Sequence, residues 1–354
     1  MMKQTLLLYV STLLFSTIVL GAQSCLNVFS QDNITESVIK NSISHSNQYL
    51  DERNKKWADE QKCLCCHTTL PYVLSRAFDS QSSQNFKKFE VVAREGTENP
   101  SRRPWYTSDH AGVNSYPTES VLNAITLIMY DRKQTDPKLR PVTLKSIERI
   151  FENLDQSGGL HWLDFDLQPF ESKQGELWGN SMAILAIEMA EKYSNYRAPQ
   201  DKYRQLKKLL INQRTSLNLN EKSVLIWAHS MNDKILSPEL LAQFANDIAN
   251  SQKSTGAWNQ KSFIPDGRME EDAYATSMGL LALVKSKSHP EAARKAAAWL
   301  LTKQRTSEQF GLQEPRNFWV TTSMNRDRNL NNLFSSDAAT GFATLALKAY
   351  MDER

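Results

Sequence analysis

The sequence predicts an all-α protein: an α/α toroid of about six inner and six outer helices, preceded by a signal peptide. Three observations lead there. First, one unit recurs: an apolar helix ending in Gln, a turn bearing Gly and Trp, then a second apolar helix. Gln252, Gly256 and Trp258 form the clearest copy, and Asp155-Gln156-Ser-Gly158-Gly159-Leu-His-Trp162 is another. Trp299-Leu300-Leu301-Thr-Lys-Gln304, with Gly311 after it, is a third with a longer turn, and Leu209 to Gln213 is a copy without Gly or Trp. Second, the segments after these turns resemble one another: Thr276–Leu283, Thr340–Leu347 and Asn180–Ile187 place small residues among Leu and Ile nearly all round. A helix apolar on every face is buried on every face. Third, no alternating run is long enough for a sheet.

The elements follow in order. Outer helices, amphipathic with Lys, Arg and Glu on one side, are expected near 35–56, 84–94, 141–154, 200–213, 238–251 and 290–304. Inner helices are expected near 66–78, 118–131, 179–193, 221–231, 272–286 and 336–350. Pro71 fits the first turn of the first inner helix, where a missing N–H costs nothing. The domain reading is one toroid over 30–354, behind a signal peptide or membrane anchor over 1–24.

The N-terminus is a short basic start through Lys3, then an uncharged Leu-rich run from Thr5 to Ala22, then small residues suited to signal peptidase. The chain is therefore expected outside the cytoplasm, in the periplasm or otherwise exported. Membrane contact would come only through an uncleaved N-terminus or a lipidated Cys25. The net charge is +3 over 354 residues, and the basic residues are scattered. That pattern excludes a nucleic-acid stripe. Three of the four cysteines, at 63, 65 and 66, fall within four residues, so they do not form a disulfide framework.

The Q-x-x-x-G-x-W unit after an apolar helix resembles the QW repeat of squalene–hopene cyclases and their relatives, the α/α-toroid terpenoid cyclases and prenyltransferase β subunits. The resemblance covers residues 118–350 and implies that Gln252 and Trp258 are structural. Cyclases of that family that protonate an alkene carry D-x-D-D-T at the start of an inner helix. This chain has Asp272-Ala273-Tyr274-Ala275-Thr276 there, and Tyr is a far weaker acid than a carboxyl group. Asp164 and Asp166 form another pair without the following Asp-Thr. Proton-initiated cyclisation is therefore not expected. Cys63 to Tyr72 also resembles a bacterial subgroup of toroid proteins that sets C-x-x-C-H-T-T-L-P-Y ahead of such repeats. The stretches 118–124, 162–171 and 336–340 resemble it too. The subgroup implies no particular reaction.

Cys63-Leu64-Cys65-Cys66-His67 contains C-x-x-C-H, the attachment signature of a c-type haem. Cys63 and Cys66 can each add a thiol across a haem vinyl group, and His67 can bind the iron. Zinc is the alternative, with Cys63, Cys66 and His67 as three of its ligands. As an entry to the first inner helix, the motif sits at the N-terminal mouth of the barrel. His110 and His161, in loops before the second and third inner helices, are candidates for a second axial ligand; the alternative for each is a solvated side chain. Glu119, Glu176, Asp272 and Asp337 each precede or open an inner helix and are candidate catalytic carboxylates, with helix capping as their other reading. Asn325, Arg326 and Arg328 could pair with haem propionates, and Trp162, Trp178 and Tyr274 could line an apolar pocket.

Three functions follow. One is a haem enzyme transforming a hydrophobic, isoprenoid-like molecule in the barrel with the help of a redox partner protein. The second is an electron-transfer or ligand-binding protein that uses the toroid as scaffold. The third is a haem-free cyclase-like or zinc toroid enzyme.

Overall fold

Helices built on the expected apolar patterns dominate this computed structural model, which describes residues 34–60, 63–77, 84–100, 115–133, 138–165, 167–306, 317–321 and 332–353. The expected signal segment, Cys25, His110, Asp166, Gly311, Asn325, Arg326 and Arg328 lie outside the described residues. All elements below belong to the unit Thr35–Arg354.

The outer helices are α1 (Glu36–Glu60), α3 (Gln84–Glu98), α5 (Pro141–Glu152), α7 (Gln200–Asn212), α9 (Pro238–Asn250) and α12 (Pro290–Lys303). The inner helices are α2 (Thr69–Arg76), α4 (Tyr116–Arg132), α6 (Gly175–Tyr193), α8 (Leu219–Asn232), α11 (Ala273–Lys285) and α13 (Asn332–Asp352). Burial separates the two classes as the sequence pattern requires. The outer helix α7 buries one stripe, Tyr203, Leu206 and Leu210. The inner helix α11 buries every residue from Ala273 to Val284. Between them, α10 (Gln260–Phe263) is a single turn.

The inner helices form a closed ring. Each packs on the next in the order α2, α4, α6, α8, α11, α13, and α13 packs back on α2, while α1 covers that seam from outside. The C-terminal ends of α4, α6, α8, α11 and α13 share one cavity of about 200 Å³, lined by Met129, Met189, Met231, Lys285 and Lys348 among others. These five helices therefore run parallel, with their N-termini at the opposite end.

The repeat turns fasten the outer ring. Trp258 donates its indole N–H back to Ile248 O of α9 (2.8 Å) and Ser251 Oγ (3.1 Å). Gln252 Nε2 donates to Gly256 O and across to Ala292 O of α12, both at 2.8 Å. Gln304 does the same for the next pair, donating to Ser42 O of α1 (3.0 Å). The inner helix contributes its first repeat residue: Thr276 Oγ1 accepts from Trp258 N (3.1 Å), and Thr340 Oγ1 from Trp319 N (3.0 Å). Asn180 plays that part toward Leu160 N (2.8 Å). Gly256 sits at φ +95°, where its turn lies on Lys295 of α12, and only Gly accepts both conditions. Gly279 makes room for the Trp258 ring, which a Cβ would meet at 2.9 Å.

Three local details differ from the expectation. The first inner helix begins at Thr69, because Cys66–Thr68 form a turn that α2 does not absorb. Strands do occur, as two-residue antiparallel pairs: Trp258–Asn259 with Glu271–Asp272, and Arg305–Thr306 with Asn317–Phe318. They are too short to leave an alternating signature. Trp162 breaks the repeat pattern and donates to Phe170 O (2.6 Å), within its own loop. Among the described residues, no helix is long and apolar enough to cross a membrane.

Two predictions follow from this framework. Trp258→Ala removes a fully buried ring and two of its indole hydrogen bonds, and should cost about 3–5 kcal/mol, read as a lower melting temperature by circular dichroism. Glu221 closes the capping box of α8 with Asn218, and burial pushes its carboxyl up to about 8, from 4.5. An acid whose pKa is raised by folding stabilises fully below its unfolded value and loses that stabilisation as pH rises through the folded one. Stability should therefore fall between about pH 4.5 and 8. Glu221→Gln keeps an acceptor for the cap, and denaturant titrations should show a flatter pH slope for it over that range.

Candidate functional site

The Cys63–His67 turn is pinned between α1 and α2. Trp57 of α1 donates its indole N–H to Cys63 O (2.9 Å), and Leu70 N bonds to Cys65 O (3.0 Å). Cys65 faces the start of α2: Thr69 N lies 3.4 Å from its sulfur and Thr69 Oγ1 3.5 Å. This thiol thus satisfies an orphan amide of the helix N-terminus, a structural task. Cys66 is fully buried. The ring of His67 lies 4.4 Å from the ring of Phe334 and 5.2 Å, edge-on, from Trp57. Its Nδ1 is 2.9 Å from Thr68 Oγ1.

A cavity of about 190 Å³ opens beside this turn. Cys63, Cys65 and His67 form one wall, Leu122 and Glu119 of α4 a second, and Leu163, Leu167 and Glu171 of the loop before α6 a third. A smaller cavity of about 60 Å³ shares His67 and Glu171 and continues toward Phe334 and Ser335. Burial is the largest influence on the three thiols and the imidazole here. It raises the Cys63 and Cys65 thiols to about 12, raises Cys66 with the Glu171 carboxyl adding to the effect, and lowers His67. The three thiols are therefore protonated and the imidazole neutral at pH 7.

The expected carboxylates divide. Glu119 lines the cavity and accepts from Ser115 Oγ (2.5 Å). Asp272 is buried as the N-cap of α11, accepting from Ala275 N (2.8 Å), Gln260 Nε2 (3.1 Å) and the Thr321 hydroxyl; desolvation raises its pKa. Asp337 is buried inside α13 and bonded to Arg53, Tyr49 and Thr68. Neither Asp272 nor Asp337 lines the cavity beside His67. Glu176 is an exposed residue in the first turn of α6, with its pKa raised by desolvation. His161 is exposed and its Nε2 lies 3.3 Å from Asp155 Oδ2, off the cavity wall.

Among the aromatic candidates, Tyr274 lines a crevice of about 20 Å³ with Gln260 and Thr321, while Trp162 and Trp178 pack edge to face. The residue that sequence reasoning passed over is Glu171. It stands in a loop, bridged to Leu167, rather than at a helix entry. Its one signal was its place at the end of the Trp162–Glu171 stretch. Of the residues expected for zinc, Cys63 and His67 line the cavity and Cys66 does not; among the described residues no group of three His, Cys, Asp or Glu is disposed to hold a metal ion.

No family model and no curated protein sequence matches the chain. Solved structures do. The type II terpene cyclase MstE from Scytonema, in its apo form, superposes with a TM-score of 0.54 at 13% identity, covering 90% of this chain and 100% of that one. A variant of MstE in complex with its product merosterolic acid A gives 0.53 at 13% identity, covering 90% and 98%. A variant in complex with its substrate geranylgeranyl dihydroxybenzoate gives 0.50 at 13% identity, covering 89% and 97%. The fold is thus the α/α toroid of the type II terpene cyclases.

The thiol environment yields a prediction. A pKa of about 12 instead of 9.0 lowers the thiolate fraction at pH 8 about a thousandfold. Iodoacetamide should accordingly label Cys63 and Cys65 of the folded, haem-free protein far more slowly than in urea, with Cys66 the slowest. Equal labelling in both conditions would contradict this description of the site.

Proposed function

We propose that this chain is an exported c-type haem toroid protein that carries out redox chemistry on a hydrophobic molecule. The observation that carries the reading is that Cys63 and His67 share the wall of an apolar cavity with two carboxylates, Glu119 and Glu171. The donor types suit haem c. Cys63 and Cys66 are protonated thiols, the form that adds S–H across a vinyl double bond with nothing leaving; Cys63 lines the cavity, while Cys66 is enclosed in the closed ring and would have to react before the ring closes. His67 is a neutral imidazole, the form that binds iron. The space is the tighter test: about 190 Å³ lies below the ~300 Å³ at which sites for drug-sized ligands begin, so the macrocycle needs more room than the described wall leaves.

Haem, when bound, would supply one-electron exchange with a redox partner protein. The chain's own residues have separate parts. Leu122, Leu163 and Leu167 offer an apolar surface to the molecule and keep water from it. Glu119 and Glu171 are positioned to hold or pass a proton at the cavity wall. The isoprenoid substrate and product held by MstE support an isoprenoid as the hydrophobic molecule. A second reading, electron transfer with the toroid as scaffold, is favoured by the small cavity volume. The site calls for export to a compartment where haem is attached, and for the N-terminus to act as the export signal.

The test is a pyridine haemochrome spectrum of protein made with a haem-maturation system. Wild type and Cys65→Ala should show two thioethers; Cys63→Ala and Cys66→Ala should show at most one, with a shifted reduced band. His67→Ala should lose the native spectrum and keep its helical circular dichroism, since the ring is built by the repeat helices. A wild-type protein without haem would overturn the reading. Imidazole or CO binding to the iron then separates chemistry from electron transfer: ready binding favours the first, and resistance the second.

A further inference from the structure

Closure of the ring builds a hydrogen-bond chain behind His67 that the C-x-x-C-H motif does not itself contain. Its root is Asp337 of α13, fully buried. Asp337 Oδ1 accepts from Arg53 Nε and from the Tyr49 hydroxyl, each at 2.8 Å. Oδ2 accepts from Arg53 Nη2 and from Thr68 Oγ1, each at 2.8 Å. The guanidinium fork donates to both oxygens and cannot accept in return, so Asp337 is the acceptor in all four contacts.

The proton count along the chain is then fixed. Thr68 has one hydroxyl proton and commits it to Asp337. Its oxygen also lies 2.9 Å from His67 Nδ1, and a contact that short between two polar atoms needs a proton between them. With the Thr68 proton committed elsewhere, the imidazole must supply it. The opposite tautomer would set a nitrogen lone pair against an oxygen lone pair. Cys65 Sγ, 3.8 Å from Nδ1, is too distant to compete for it strongly. Nδ1 therefore carries the hydrogen, and Nε2 carries the lone pair.

We propose that Arg53, Asp337 and Thr68 are positioning residues that lock His67 as the Nδ1–H tautomer and so present Nε2 as its iron-binding nitrogen; the role toward iron rests on the haem reading above. Metal-binding imidazoles commonly donate their second N–H to a carboxylate or carbonyl, which fixes the ring and raises its basicity. Here a threonine hydroxyl stands between ring and carboxylate. The relay joins three parts of the chain that only the closed ring brings together: α1, α13 and the turn before α2. The ring plane is held separately, by Phe334 and Trp57.

Two measurements test it, the first without haem. Long-range ¹H–¹⁵N spectra of the haem-free protein, with only His67 labelled or assigned, report which nitrogen is protonated. The wild type should show a protonated Nδ1 and a bare Nε2. Thr68→Val keeps the shape, removes the acceptor and should shift the population toward Nε2–H; Thr68→Ser should restore the wild-type pattern. A wild type that is Nε2–H, or a Thr68→Val spectrum identical to wild type, overturns the proposal. Second, in the haem-loaded protein Thr68→Val should raise the midpoint potential at unchanged haem content, and Thr68→Ser should return it. An unchanged potential overturns the role toward iron while leaving the tautomer assignment intact. Absence of haem from the wild type defeats the haem reading and not the tautomer. Asp337→Asn is a poorer probe, because it strands Arg53 and threatens the fold.

Discussion

A buried carboxylate, Asp337, ties the last inner helix to the first helix of the chain and to the turn that follows it. Asp337 takes four hydrogen bonds from three residues: the Arg53 fork and the Tyr49 hydroxyl on the first outer helix, and Thr68 in the turn that opens the first inner helix. A buried pair of this kind gives little net stability over an apolar one, but loss of one partner leaves an uncompensated charge and typically costs about 3–5 kcal/mol. Beside it a second clamp joins α1 to α2, in which Arg76 Nη2 meets Asp51 Oδ2 at 2.8 Å and the Tyr72 hydroxyl donates to Asp51. Specific closure, more than added stability, is what such groups contribute: they define which helix ends meet. The cavity beside His67 forms along the edge of the seam between α13 and α2.

Elsewhere the ring is held by repetition. Each well-formed repeat uses a Trp indole to satisfy a carbonyl in the last turn of an outer helix, Ile248 O or Leu300 O, which the helix cannot satisfy internally. A Gln amide reaches a carbonyl of the next outer helix, Ala292 O or Ser42 O. The inner helix answers with a Thr or Asn on the turn's backbone N–H, and with small residues under the Trp ring. The small residues that leave the inner helices apolar on every side are thus also the space into which the turn residues fit. Trp162 departs from the scheme because its loop folds back on Phe170, and it is this loop that brings Glu171 to the cavity.

The architecture was legible because it is written in period and composition: amphipathic outer helices, apolar inner ones and a recurring turn gave all six pairs within a few residues. The site was legible only in part. Motif spacing identified Cys63 and His67, which do line a cavity, but it could not tell which thiol turns inward. Cys65 faces the cavity and caps α2, while Cys66 is enclosed against Glu171. Asp272 and Asp337 were chosen for their place at inner-helix entries, and that place is why they are engaged in capping and closure. Glu171 had no periodic or capping context, so only folding the loop over Leu167 reveals it. Trp319, the true partner of the third repeat, bonds back to Leu300 O across a turn too long for the spacing to be read.

The contact between Thr68 and Asp337 also sets an order of assembly. The two residues are 269 positions apart, and Asp337 belongs to the last helix of the described chain. A chain emerging residue by residue exposes Cys63–His67 long before α13 exists to receive Thr68. Until then the thiols are not enclosed and the imidazole has no fixed tautomer. The interval between synthesis of the first inner helix and arrival of the last is a window in which Cys66, inaccessible in the finished ring, can be reached. Reactions that need that sulfur belong to the nascent or unfolded chain, and ring closure ends them.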